Sequence, residues 1–262
     1  MIVHNFSPVL IDFGILQVRW YSLAYIFGIL IGWWYGKIIL KKNITDNVYF
    51  KNFDDLIGYL IIGVILGGRL GYVLFYNPSF YFENFMEIFK IWNGGMSFHG
   101  GLIGTIVAIY LFSNINKLNY KIYFDTISAV SPIGIFFGRL ANFINSELYG
   151  TPTDKPWGIV FPKVDNLARH PSQIYEAFLE GILLFVILNI TLFKKKLNPG
   201  IISSIFLILY GTFRIISESF RQPDEHIGYI INFLSMGSLL SVLMIIFGFS
   251  FFVKINLYEK NK

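Results

Sequence analysis

GRLANFINSELYG, residues Gly138 to Gly150, puts an arginine near the end of an apolar run that begins around Thr126. Ionisable groups at membrane depth are costly, roughly 2.5–3.5 kcal/mol for an arginine on insertion scales, so they mark functional positions by default. The polar residues continue past Arg139 into Asn142, Asn145 and Glu147. If this run crosses a bilayer, the fold is a bundle of membrane helices and the arginine needs a partner inside it.

The rest of the chain supports that reading. Of 262 residues, 55% are hydrophobic and 14% charged, a composition that does not describe a soluble globule. Apolar stretches at about 21–40, 56–76, 98–113, 126–145, 173–193, 200–217 and 230–253 predict an all-α integral membrane protein with about seven transmembrane helices. The third is short and starts in glycines, so its outer end is expected to be irregular. The whole chain, 1–262, reads as a single polytopic membrane domain without a soluble appendage. Residues 1–20 lack the pattern of a cleaved signal, so the first helix is expected to stay.

Basic residues set the orientation. Sorting the 21 lysines and arginines across these spans puts twelve on one side, including Lys37, Lys41, Lys42, Lys195, Lys196 and Lys262, and six on the other, with Arg69, Arg139 and Arg214 inside helices. The N-terminus is therefore expected outside and the C-terminus in the cytoplasm. The long loops, about 77–97 and 146–172, then face outward, where chemistry is expected.

Cysteine is absent, so any thiol in the chemistry comes from a substrate. His4, His99, His170 and His226 have no metal-ligand spacing and no acidic metal motif accompanies them, so neither a metal nor another cofactor is expected. The net charge of +5 is explained by cytoplasmic lysines and implies no nucleic-acid partner.

Counting from the cytoplasmic end of each helix, Arg69, Arg139 and Arg214 all lie roughly 20 Å up, in the outer half of the bilayer. Snorkelling or pairing would explain any one of them. Glu147 and Glu218 are read as the nearest carboxylates, and Glu218 can pair with Arg214 four residues earlier. The expectation is an excess of positive charge around a common cavity, suited to an anionic ligand arriving from the lipid, since arginine's planar fork matches phosphate.

The remaining motifs admit two readings each. Gly63, Gly67 and Gly71, and again Gly134 and Gly138, have the four-residue spacing that lets membrane helices pack closely. In GGMSFHGGLIG, Gly94 to Gly104, His99 is either a hydrogen-bonded structural residue or a group for proton transfer near neutral pH. In RHPSQIYE, Arg169 to Glu176, Ser172 is expected to cap the fifth helix, with Glu176 placing acidic charge in its first turn. Arg221, in FRQPDEH, is a solvated loop charge or a headgroup contact. Asn142 and Asn145 share a stripe with Arg139 that faces another helix or a glycerol-like headgroup.

GRLANFINSELYG resembles the signature of the bacterial prolipoprotein diacylglyceryl transferases. The likeness continues, in the family's order, through WYSLAY near Trp20, GGRLGYVLFYN from Gly67, GGMSFHGG, RHPSQIYE and YGTFRIISESFRQPD from Tyr210. The resemblance implies a seven-helix enzyme of the bacterial cytoplasmic (inner) membrane, with phosphatidylglycerol and a preprolipoprotein signal peptide bearing a lipobox cysteine as partners. It would move the diacylglyceryl group to the cysteine thiol and release glycerol phosphate. It further implies that Arg139 and Arg214 bind the lipid phosphate and stabilise the leaving group. Tyr21, His99 and Tyr210 join the catalytic set, with His99 or a nearby group as base. Asn142, Glu147, Gly150, Glu218, Arg69 and Arg221 join the substrate-binding set. A lipid or metabolite transporter would also place arginines in a membrane cavity, and a metal-dependent headgroup transferase would need aspartate motifs that this chain lacks.

Overall fold

The computed structural model describes residues 2–14, 17–194, 197–223, 229–231 and 234–260. Sequence expectations for His226, Lys195, Lys196 and Lys262 fall outside these residues. The helices are α1 (Trp20–Asn43), α2 (Asn47–Lys51), α3 (Phe53–Phe75), α4 (Pro78–Glu83), α5 (Phe98–Ile115), α6 (Tyr120–Asn145), α7 (Ser172–Glu176), α8 (Leu184–Lys194), α9 (Ile201–Glu218) and α10 (Met236–Lys260). A π-helical turn, Ala177–Leu183, joins α7 to α8, so Ser172–Lys194 runs as one helical span. Among the described residues six helices are long and apolar enough to cross a membrane, and His99–Ile115 is a shorter apolar helix in the third position. Six of the seven predicted spans are thus found at full length and the third as a shorter helix, in keeping with its short apolar run, although the end expected to be irregular is regular helix through Gly100, Gly101 and Gly104. The chain is a multi-pass membrane protein.

The last span begins later than its hydropathy predicts. Apolar residues from Ile230 onward pair instead as a short hairpin, β6 (Tyr229–Ile231) with β7 (Leu234–Ser235), and the helix starts only at Met236. Hydropathy registers apolar character but not whether the backbone is helical or extended, so it cannot separate the two. Other short strands lie in the loops and near the N-terminus: β1 (Ile2–Val3) runs parallel to β4 (Ile159–Val160), which is antiparallel to β5 (Ala168–Arg169), and β2 (Val9–Asp12) pairs with β3 (Gln17–Arg19).

The helices fall into two compact units. The smaller, Lys37–Phe124, is organised by α3 against α5. Acidic Asp54 and Asp55 stand in the first turn of α3, complementing its dipole, and Ser97 caps α5 by accepting a hydrogen bond from the Gly100 amide at 3.2 Å. The glycine spacing has the meaning expected of it. A Cβ at Gly63 would lie 2.6 Å from Gly104 O, one at Gly67 2.8 Å from Gly104 Cα, and one at Gly71 2.7 Å from Gly100 Cα. The two backbones touch, which only residues without side chains permit.

Arg69, in α3, belongs to this unit and its role there is visible. Its five N–H groups meet five carbonyls of the loop that follows: Nε donates to Ile88 O at 2.8 Å, Nη1 to Gly94 O at 2.5 Å and Gly95 O at 3.2 Å, and Nη2 to Glu87 O at 2.5 Å and Lys90 O at 3.3 Å. The guanidinium also sits 5.1 Å from the centre of the Tyr81 ring. The loop is built of two short 3-10 turns, Phe85–Phe89 and Ile91–Asn93, and one buried arginine gathers carbonyls along and after them.

The larger unit, Met1–Gly36 with Asp125–Lys262, holds the other spans. Here too glycines mark close approach: a Cβ at Gly28 would be 3.0 Å from Gly134 Cα, one at Gly181 2.8 Å from Phe136 Cβ, and one at Gly211 2.7 Å from Ser241 O. Gly134 therefore lies under α1, as its spacing suggested, but its own Cβ direction is open, and a Cβ at Gly138 would meet nothing within 4 Å. Gly138 is not a packing glycine within this unit. Polar ties join the helices: Asn189 accepts from Tyr35 OH at 3.1 Å and donates to Ala129 O at 3.1 Å. Asp125 of α6 accepts the amides of Gly200 (2.7 Å) and Ser203 (2.8 Å), capping α9 from a neighbouring helix.

Candidate functional site

The C-terminal end of α6 and the helices packed on it gather the sequence's polar residues. Arg139 Nη1 lies 3.0 Å from Glu176 Oε2, and Nη2 donates to Glu180 Oε2 at 3.0 Å. Arg214, on α9, donates through Nη1 to the other Glu176 oxygen, Oε1, and approaches Glu180 Oε1 at 3.7 Å. Its Nη2 is 2.7 Å from Glu218 Oε2, the pairing that their four-residue spacing predicts. Arg221 Nη1 stands 3.5 Å from Glu176 Oε1, and Ser217 Oγ donates to Glu180 Oε1 at 3.3 Å. Ser235 Oγ donates to Glu218 Oε1 at 2.7 Å.

This arrangement overturns the expected shortage of carboxylates. Glu176, Glu180 and Glu218 face Arg139, Arg214 and Arg221, three charges against three. Glu176 and Glu180 are wholly buried, whereas the side chains of Arg139 and Arg214 keep 15% and 11% of their surface exposed. The sequence carried a signal for this, four-residue spacing of two glutamates within an apolar helix, the same criterion that singles out the arginines. Reading Glu176 as first-turn charge concealed it. Tyr210, buried and stacked on Phe206 at 5.6 Å, lies within electrostatic range of Glu180, Arg139 and Arg214.

The π-helical turn matters here. It begins directly after Glu176 and contains Glu180, both buried beside the guanidinium groups. A wider turn alters the angle between residues four apart, and such turns recur at functional sites.

Ser172 does not cap its helix. Pro171 occupies that position without a side-chain bond, and Ser172 Oγ instead donates to Leu148 O at 2.8 Å, while Gln173 Nε2 donates to Glu147 O at 2.6 Å. Both side chains therefore hold the loop that leaves α6. There Ser146 adopts a left-handed φ of 60°, its amide bonding to Phe143 O at 3.0 Å and that of Glu147 to Asn142 O at 3.0 Å. These two bonds form a Schellman cap, a motif whose left-handed position usually belongs to glycine. Leu148 is left-handed as well, with φ 55°. The turn brings the Glu147 carboxylate back over the helix, where it accepts from Asn142 Nδ2 and Asn145 Nδ2, each at 3.2 Å. The asparagine stripe thus meets the next turn of its own chain rather than another helix.

Gly150 is a junction. Its amide donates to His170 O, the Thr151 amide to Phe220 O, and the Arg169 guanidinium to Gly150 O, each at 3.0 Å. Gly150 bridges Arg221, and a Cβ on it would lie 2.6 Å from Phe220 O. This contact ties Arg221 to the loop that carries Glu147. In the same loop after α6 Arg169 holds the Asp165 carboxyl below the ordinary carboxylate range, and burial with nearby Lys155 lowers the His170 pKa.

Tyr21 opens α1 half-buried, edge-on to Tyr25 at 5.2 Å. His99 lies half-buried in the first turn of α5, in the smaller unit with Arg69. Metal-binding groupings of histidine, aspartate and glutamate are absent among the described residues.

Fold and site together define a polytopic membrane protein whose larger unit holds a buried arginine–glutamate network beside a strained polar loop. Residues 8–254 match the family Prolipoprotein diacylglyceryl transferase, and the chain belongs to that family. It is 51% identical over 246 residues to the phosphatidylglycerol–prolipoprotein diacylglyceryl transferase of Rickettsia felis, covering 93% of this chain and 95% of that protein. It is 49% identical over 252 residues to the protein of the same name from Rickettsia bellii, covering 95% of each.

Proposed function

We propose that this chain transfers the diacylglyceryl group of phosphatidylglycerol to the lipobox cysteine of a preprolipoprotein in the bacterial inner membrane, with its N-terminus and site facing outward. The thiolate sulfur attacks the glycerol carbon, the bond from that carbon to the phosphate oxygen breaks, and glycerol phosphate leaves. A cysteine of pKa about 8.5 needs modest help to ionise, and His99 is the proposed acceptor of its proton. Negative charge grows on the departing phosphate, so fixed cations lower the barrier if they are in place beforehand.

The convergence of Arg139, Arg214 and Arg221 on Glu176 carries this reading. The glutamates orient the guanidinium groups without enclosing them, and the remaining donors of Arg139 and Arg214 are the proposed phosphate contacts. Asn142 and Glu147 are proposed to meet the glycerol headgroup. Tyr210 and Glu218 support the arginines, Tyr21 flanks the lipid, and Gly150 holds Arg221 in register. Arg69 is proposed to act on substrate through the loop it organises.

The test mixes the purified protein with phosphatidylglycerol and a lipobox peptide. The peptide should gain the mass of one diacylglyceryl group, and an unchanged mass overturns the assignment. Arg139→Ala and Arg214→Ala should abolish transfer while Lys51→Ala, on an exposed face of α2, should not.

A further inference from the structure

His4 stands near the start of the chain, and its side chain is buried against the loop that aims Glu147. The segment carrying it docks as a strand: β1 pairs with β4, the His4 amide donates to Val160 O at 2.9 Å, and Lys163 Nζ reaches Phe6 O at 3.2 Å. The imidazole is enclosed by Phe143 (4.9 Å, nearly perpendicular), Phe6 (5.2 Å) and Phe161 (5.2 Å). Its Nδ1 shares a 3.2 Å hydrogen bond with Ser146 Oγ.

Ser146, like Leu148 two residues on, has a left-handed backbone that needs support. It stands at the left-handed position of the Schellman cap, where a Cβ is unfavourable and glycine is the usual occupant. Ser172 and Gln173 hold the carbonyls of Leu148 and Glu147, the residues that follow Ser146. Burial chiefly, with Lys163 nearby, lowers the His4 pKa against the opposing pull of the His4 and Phe143 backbone. Nε2 is buried without a hydrogen-bond partner. A bare acceptor is tolerated there better than an unsatisfied N–H, which makes Nδ1–H the donor to Ser146 Oγ.

We propose that His4 is a positioning residue for the transfer reaction: through Ser146 it holds the left-handed end of α6 so that the Glu147 carboxylate stays over Asn142 and Asn145. The inference rests on the proposed role of Glu147 at the lipid headgroup. In this chain the N-terminal strand is therefore a working part of the site, and the serine with its histidine replaces the glycine that such a turn would otherwise require.

The test separates the hydrogen bond from ring packing. His4→Phe keeps a ring in the pocket and removes the donor, and it should lower kcat/KM for phosphatidylglycerol about tenfold, the scale of one lost hydrogen bond amplified by a misplaced group. His4→Asn restores a donor and should stay within about threefold of the parent. In a Ser146→Gly background, where the hydroxyl and the strained Cβ are both gone, His4→Phe should cost less than about twofold. Hydrogen–deuterium exchange of residues 143–150 should quicken in His4→Phe and be unaffected by that change in the Ser146→Gly background, whether or not the preparation is active. Parent-like kcat/KM in His4→Phe, an asparagine variant no better than phenylalanine, an undiminished loss in Ser146→Gly, or unchanged exchange would each overturn the proposal. An inactive parent protein with the expected exchange pattern would count against the transferase reading and leave the role of His4 standing.

Discussion

Arg139 and Arg214 share one carboxylate: each approaches a different oxygen of Glu176, so a single buried side chain fixes the spacing of two guanidinium groups from two helices. Arg139 approaches Oε2 at 3.0 Å without the alignment of a full hydrogen bond, whereas the Arg214 contact at Oε1 is aligned. Removing one partner of a buried pair leaves the others uncompensated, typically at a cost of about 3–5 kcal/mol. Glu176→Ala should therefore lower thermal stability strongly in detergent. Glu176→Gln, which keeps the shape and loses the charge, should lower transferase activity at least tenfold while remaining folded. A fully active glutamine variant would show that the arginines do not depend on Glu176 for their placement.

Glycines on α3 differ in what surrounds them, and substitution should expose the difference. A Cβ at Gly67 would lie 2.8 Å from Gly104 Cα, while one at Gly58 would meet nothing within 4 Å. Gly67→Ala should separate α3 from α5 and lower the melting temperature by several degrees. Gly58→Ala should be neutral or stabilise by up to about 1 kcal/mol through helix propensity. Thermal unfolding of the two variants side by side checks the contrast.

Arg69→Lys preserves charge but replaces five planar donors with three on a flexible stem. Carbonyls of residues 87–95 would then lose their common partner. Limited proteolysis should cut within 84–97 faster in the lysine variant than in the parent, with the membrane helices intact. An unchanged cutting rate would mean that the loop holds its shape without the arginine.

Acid should release the Asp165–Arg169 link, whose atoms approach to 2.5 Å. The folded-state pKa of Asp165 is lowered chiefly by the Arg169 hydrogen bond, so its stabilisation is fully present above the unfolded value, about 3.9, and is lost as pH falls through the folded value. The melting temperature of Asp165→Asn should fall below the parent's at pH 7 and converge with it in strong acid. Curves that stay parallel across this range would assign the link no role in stability.

Several sequence readings that rest on one-dimensional properties survived. Span number and the shortness of the third span follow from hydropathy and length, because a bilayer demands continuous apolar helix. Glycines four apart marked the α3–α5 contact, and four-residue spacing paired Arg214 with Glu218, because helix periodicity fixes which side chains share a face. The hairpin before α10 was lost because an apolar residue looks the same in either backbone conformation.

The sequence by itself determined that this is a multi-pass membrane protein with arginines inside its helices, because the cost of burying charge is written in composition and spacing. Only the tertiary structure decided which charges meet. Glu176 and Glu180 lie 37 and 41 residues along the chain from Arg139, and their helix had to pack on α6 and α9 before any pair could form. Likewise nothing in the spacing of His4 and Ser146, 142 residues apart, announces a hydrogen bond; it exists because β1 docks on β4 and brings the N-terminal strand to the left-handed end of α6.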